Sequence, residues 1–236
     1  VLAPAEVDAA NAAIDAHAAS LVARAAPSLR NAKRGTPMSA AGARYDMGNI
    51  LHLDAPHCHP FRKILAHPKL VPYYEALCGP GYRLDHSPLV IAQEADSEGF
   101  ALHGGPITSD GDMNTELMYR SVNGQVWTSL LAVSVQLVDH HDTGGFCVLP
   151  GSHKLNFPCP PEAIHGTDEE FFRDYLHFPR TNRGDVVIWS EATIHGAVPW
   201  RAPFQRRIAL YRFAPANMGY GRGYLDVPDD KLAVLT

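Results

Sequence analysis

The chain has 236 residues, 46% hydrophobic and 19% charged. That is enough for one sizeable core and unlike a disordered or coiled-coil sequence. A formal charge of −5 argues against a nucleic-acid partner, whose phosphates must be neutralised by Lys and Arg, and the chain has neither an apolar run long enough to span a membrane nor a basic amphipathic stretch to lie on one. The four cysteines (Cys58, Cys78, Cys147, Cys159) form no C-x-x-C pair, so reduced, mostly buried thiols in a cytoplasmic-type compartment are expected. An organelle is also compatible, because the sequence opens on Val1 and a targeting peptide could have preceded it. Thirteen histidines are many for this length and give the first hint of chemistry.

Val7, Ala10, Ile14, Ala18 and Leu21 recur at helical steps after Pro4 and predict a helix ending before Pro27. Residues 28–56 read as a loop-rich connector. Short helices are expected around Phe61, Ile64 and Leu65 and around Leu70, Tyr73 and Leu77, the second stopped by Gly79-Pro80. From about residue 82 the period changes to two. Strands are predicted over 88–93, 126–137, 146–149, 185–189 and 206–213, with one helical insertion starting at the capping box Thr167-Asp168-Glu169-Glu170. Helices followed by spaced strands argue for one mainly β (α+β) domain, a sandwich or barrel with helices outside it. Residues 1–80 would be mostly helical support, 81–215 the β core and 216–236 a C-terminal tail. No repeat or linker divides the chain.

Three segments carry the chemical signal. They are Ala101-Leu102-His103-Gly104-Gly105-Pro106, the turn from Gly144 to Lys154, and Ile194-His195-Gly196-Ala197 followed eleven residues after the histidine by Arg206. Two histidines at strand ends, each beside Gly, fit a divalent-iron site at a barrel mouth, since neutral imidazole is a ligand and Gly admits a close approach.

The turn Gly-Gly-Phe-Cys-Val-Leu-Pro-Gly-Ser-His-Lys and the His195-to-Arg206 spacing resemble the phytanoyl-CoA dioxygenase family of iron(II)/2-oxoglutarate oxygenases, from the N-terminal helix to about Ala214. The resemblance implies a double-stranded β-helix, or jelly roll. It also implies that His103 and His195 bind Fe(II) and that Arg206 anchors the 2-oxoglutarate carboxylate, which a guanidinium fork matches bidentately. Gln93 and Ser134 are further cofactor-pocket candidates. Arg207, one step away, would face the other side of its strand.

The sequence departs from the family in two places. The acid expected two residues after the first histidine is Gly105, and the serine often found two residues after the distal one is Ala197. Three readings follow. An acid from the next loop (Asp110, Asp112 or Glu116) substitutes; or the open position takes chloride, as in halogenase relatives with His-x-Gly; or the metal site is degenerate and the protein only binds a small molecule. The expected reaction is hydroxylation, or halogenation, of an unactivated C–H bond in a small molecule. The CoA thioester is not carried over, since no basic cluster would cradle its phosphates.

Other signals have plainer readings. His153 and Gly144-Gly145 belong to turns, Asp185 leads into a strand, and His57-Cys58-His59 lacks a second pair for zinc. His140-His141-Asp142 reads as a solvated loop, and the three tryptophans as core or pocket wall. Ser134 and Gln136 line either a pocket or the surface, depending on which way their strand faces. Residues 94–100 and 106–124 are expected to be pocket-closing loops. Oligomeric state is not readable from the sequence.

Overall fold

A computed structural model describes residues 1–24, 35–105, 114, 116–159, 170 and 174–219. Among these residues three helices with complete bounds, α1 (Pro4–Ala16), α2 (His59–Leu65) and α3 (Val71–Cys78), precede most of eleven strands. These are β1 (Val22–Ala23), β2 (Arg44–Met47), β3 (Arg83–Gln93), β4 (Phe100–His103), β5 (Tyr119–Val122), β6 (Gln125–Thr128), β7 (Leu131–Gln136), β8 (Gly145–Val148), β9 (Val186–Ser190), β10 (His195–Val198) and β11 (Arg206–Ala214). The major sheet has the order β1-β2-β3-β11-β7-β9, the minor sheet β4-β10-β8, and β5-β6 form a separate hairpin. Every strand pair within the sheets is antiparallel. Opposed antiparallel sheets of this kind make the jelly roll that the sequence led us to expect.

Register separates the two faces of the major sheet. Ala209 pairs with Val135 and Val90, and Tyr211 with Val133. These side chains point to the outer face, where Val7, Ala10, Ala13 and Ile14 of α1, Phe61 and Ile64 of α2, and Tyr74 of α3 complete the main core. Tyr74 stacks on Phe213 at 4.3 Å, and the Tyr211 hydroxyl donates to the Phe61 carbonyl at 2.9 Å. On the opposite, inner face, Arg206 pairs with Gln93, Ile208 with Ile91 and Gln136, and Leu210 with Leu89 and Ser134. Ser134 and Gln136 are therefore interior, and both are buried. A second cluster (Met38, Leu102, Cys147, Ile194) packs behind the minor sheet.

Several predicted boundaries move. α1 stops at Ala16 and a 3-10 turn over Ala18–Ser20 follows, so Leu21 packs beside the core without being helical. The presumed connector contains β2, which adds to the major sheet alongside β3. The apolar run 126–137 is broken at Ser129-Leu130 into β6 and β7, and β5 occupies part of a predicted loop. The hairpin turn is Asn123-Gly124, both with positive φ, which suits a type I′ turn. The insertion begun at Thr167 lies largely outside the described residues, although Glu170 and Asp174 are helical. All four cysteines are unpaired and buried, and burial raises the Cys78 and Cys147 thiols to about 12. Among the described residues no helix is long and apolar enough to cross a membrane.

Because Phe213 joins the helices to the sheet, Phe213→Ala is expected to destabilise the fold by about 3–5 kcal/mol. Urea unfolding measures this, and a loss below about 1 kcal/mol would mean that the helical layer does not depend on the contact.

Candidate active site

The site begins with one register match in the minor sheet. His195 on β10 lies directly opposite His103 on β4, and the two rings sit 4.2 Å apart between centroids. Each ring is oriented in the same way: Nδ1 of His103 is 2.9 Å from the Ala101 carbonyl, and Nδ1 of His195 is 2.7 Å from the Thr193 carbonyl. A carbonyl only accepts, so these contacts select the Nδ1–H tautomer and make Nε2 the lone-pair nitrogen, which is how metal-binding imidazoles are oriented. The preceding turn supports the arrangement. Ser152 Oγ donates to the Leu149 carbonyl at 2.7 Å and accepts the Ile194 amide at 2.7 Å, tying the Pro-Gly-Ser-His turn to the strand that carries His195.

A carboxylate completes the cluster. Ligand atoms of His103, Glu191 and His195 lie within 4.8 Å of one another, and Glu191 is buried. Its Oε1 accepts from Arg212 Nε at 2.8 Å, while Oε2 is 3.6 Å from His195 Nε2. Burial pushes the Glu191 carboxyl up, but the Arg212 guanidinium, joined by His195 and His103 whenever they are protonated, pulls it down further, so it is held well below the usual carboxylate range. Two neutral imidazoles and one ionised carboxylate are a donor set suited to divalent iron.

Arg206 lies at the other end of β11's inner face from Arg212. It is buried, donates to Gln93 Oε1, and has no partner for its Nε. Among the described residues no carboxylate forms an ion pair with it, whereas nearby Arg44 is held bidentately by Asp46. Burial, reinforced by Arg44, lowers Arg206 to about 9. Gly145, with φ +86°, lets the backbone lie against this guanidinium, because an added Cβ would come within 2.9 Å of Arg206 Nε. Gln93 therefore meets Arg206 directly, while Ser134 accepts from Gln136 Nε2 at 2.9 Å. Arg207 faces the helices and pairs with Asp15 at 2.7 Å.

Gly105 is not open space. A Cβ there would lie 2.8 Å from both Ala192 Cα and the Leu117 carbonyl oxygen, so the β9–β10 turn occupies the position. Asp110 and Asp112 lie outside the described residues, and Glu116 is exposed and apart from the cluster. His140 corrects the solvated-loop reading: it is buried against Trp200, and only His141 and Asp142 face solvent. Burial, with Arg206 and His141 adding to it, lowers His140 to about 2. Trp189 forms a wall between Phe146 and His195, Trp200 is core, and Trp127 sits in the hairpin beneath Arg120. His57 contacts His17 and joins no metal-type cluster among the described residues.

Sequence reasoning missed Glu191 and Arg212. Glu191 precedes His195 by four residues, a spacing with no fixed meaning outside a helix. Arg212 does follow Arg206 by an even step on one strand, and that alternation placed both on one face.

A jelly roll with paired imidazoles between its sheets and a buried guanidinium deeper in has the architecture of the non-haem iron oxygenases. The chain belongs to the phytanoyl-CoA dioxygenase (PhyH) family, whose pattern matches residues 1–208, and is thus an enzyme of the non-haem iron, 2-oxoglutarate-dependent oxygenase type. No curated protein matches it in sequence. Among solved structures it is similar to HygX from Streptomyces hygroscopicus with nickel, 2-oxoglutarate and hygromycin B bound (TM-score 0.69, 18% identity, 98% of this chain and 86% of that one). It is also similar to SnoN, a non-heme alpha-ketoglutarate-dependent epimerase from nogalamycin biosynthesis (TM-score 0.62, 18% identity, 96% and 85%). AviO1 from Streptomyces viridochromogenes Tue57 shares the fold as well (TM-score 0.62, 17% identity, 92% and 87%).

The neutral, buried His140 makes a pH prediction. Below about pH 6.5 the unfolded chain takes up a proton that the native state refuses until about pH 2, so stability falls as pH falls through this window. His140 alone contributes a slope of up to about 1.4 kcal/mol per pH unit. Urea unfolding between pH 6.5 and 5 should therefore show a flatter dependence in His140→Leu, and equal slopes would mean that His140 protonates in the native state.

Proposed function

We propose that His103 and His195 hold Fe(II), that Arg206 binds the far carboxylate of 2-oxoglutarate, and that the enzyme oxidises an unactivated C–H bond of a small molecule. The observation that carries this reading is the buried Arg206, with its orphaned Nε and no acidic counterion among the described residues, on the same inner face toward which the two imidazoles point. A buried charge of this kind is costly unless an anion meets it. Gly145 lies three residues along β8 from Val148, the partner of His195, which separates the two ends of the site by about 10 Å. That separation suits a five-carbon dicarboxylate stretched between metal and guanidinium.

When bound, the iron and cosubstrate supply oxidation by dioxygen, in which 2-oxoglutarate, O2 and R–H become succinate, CO2 and R–OH, one oxygen atom going to each organic product. This chain's residues bind and orient. The Ala101 and Thr193 carbonyls hold Nδ1–H of both rings so that Nε2 is the nitrogen free to ligate, Gln93 steadies Arg206, and Trp189 with Phe146 walls the space beside His195. The aromatic wall excludes water from the reacting carbon and gives the substrate an apolar surface, with the buried Trp189 Nε1–H as a polar handle.

Anaerobic addition of ferrous iron and 2-oxoglutarate should produce a visible charge-transfer band that is lost in His195→Ala. Arg206→Lys should raise the 2-oxoglutarate dissociation constant about tenfold or more, because a point charge does not reproduce the bidentate fork. An unchanged band in His195→Ala, or unchanged 2-oxoglutarate affinity in Arg206→Lys, would refute the corresponding assignment.

A further inference from the structure

We infer that Glu191 is the third protein ligand of the metal and that Arg212 is the positioning residue that holds its carboxylate; the inference rests on the His103–His195 site proposed above. Glu191 follows the end of β9, where its amide donates to the Leu130 carbonyl at 2.9 Å and its carbonyl accepts the Gly105 amide at 3.0 Å. The first contact ties the turn carrying Glu191 to the chain entering β7, and the second ties it to the chain just beyond His103. The absence of a side chain at Gly105 is what permits the approach, since a Cβ there would strike Ala192. The same glycine that removes a carboxylate from one strand thus admits a carboxylate from another.

The carboxylate is divided between two tasks. Oε1 is held by Arg212 at 2.8 Å, and Oε2 lies 3.6 Å from His195 Nε2. The second separation is too long for a hydrogen bond, yet a cation with bonds of about 2.0–2.2 Å can bridge it. An ion pair with Arg212 alone would not require Oε2 to face His195, nor the carboxylate to lie within 4.8 Å of ligand nitrogens of two imidazoles whose Nδ1 atoms contact backbone carbonyls. A guanidinium fixing the outer oxygen of a ligating carboxylate is a common way to orient a metal ligand. With this carboxylate in place the protein offers three ligands, and the space at Gly105 is filled by backbone instead of halide. Oxygen transfer follows as the reaction in preference to halogenation.

Co(II) serves as the probe. Calorimetric titration should show Glu191→Gln, which keeps a hydrogen-bond acceptor for Arg212, binding Co(II) at least tenfold more weakly than the parent, as His103→Ala does, with unchanged circular dichroism. The visible spectrum of the parent–Co(II) complex should not respond to chloride, whereas that of Glu191→Ala should. If folded Glu191→Gln binds Co(II) as tightly as the parent while His103→Ala does not, the Glu191 assignment is wrong and the two-histidine site stands. If the parent binds no Co(II), both fail. Should Glu191→Gln not fold, a crystal structure of the Co(II)-loaded parent decides. Oε2 at bonding distance supports the inference; chloride or water in its place overturns it.

Discussion

The site depends on one antiparallel register, the pairing of His195 on β10 with His103 on β4. A slip of one residue would turn either imidazole into the apolar layer behind the minor sheet, where Leu102 and Ile194 now sit. Several features protect this register. Ser152 anchors the Ile194 amide, the Gly105 amide bonds to the Glu191 carbonyl, and the histidines bond to carbonyls two residues back on their own segments. Glycine backbones let the segments around both histidines pass closer than side chains would allow. The facing geometry of the two imidazoles therefore follows from backbone packing alone.

The inner face of the major sheet carries charge in an ordered way. Arg44 is answered by Asp46 and Arg212 by Glu191, while Arg206, between β3 and β7, has among the described residues only the neutral amide of Gln93 as a side-chain partner. Buried charges inside a protein ordinarily come in pairs. Among the described residues one guanidinium on this face thus lacks a carboxylate where two others have one, which is what its proposed role in anion binding rests on, and the neutral state of His140 beside it avoids adding further positive charge. The outer face of the same sheet is mostly apolar, its Arg207 being paired with Asp15. Its Val, Ala, Tyr and Phe side chains meet the three helices, and this apolar layer holds β11 rigid so that its alternate residues can present arginines inward.

Much of this was legible in the chain itself. A shift from helical period to period two near residue 82 pointed to a β-sandwich or barrel with helices outside it, and two Gly-flanked histidines, with the arginine that the resemblance singled out, marked the strands of the candidate site. Strand β2 was harder to see, because Arg44–Met47 is four residues long in a glycine-rich stretch and owes its conformation to pairing with β3. His140 was misread for a related reason: His-His-Asp is polar in composition, but the isolated bridge between His140 and Thr181 and the packing on Trp200 draw the first histidine inward.

The sequence by itself determined a helix-flanked, mainly β domain from local periodicity, and it singled out two Gly-flanked histidines; the jelly roll and the part given to Arg206 came from the resemblance that its short motifs carry. The tertiary structure alone decided where a carboxylate meets them. Glu191 reaches the histidines because the β9–β10 turn packs on Gly105 and Arg212 arrives from a strand of the other sheet. That meeting depends on contacts between segments far apart in the chain, which leave no regular spacing behind.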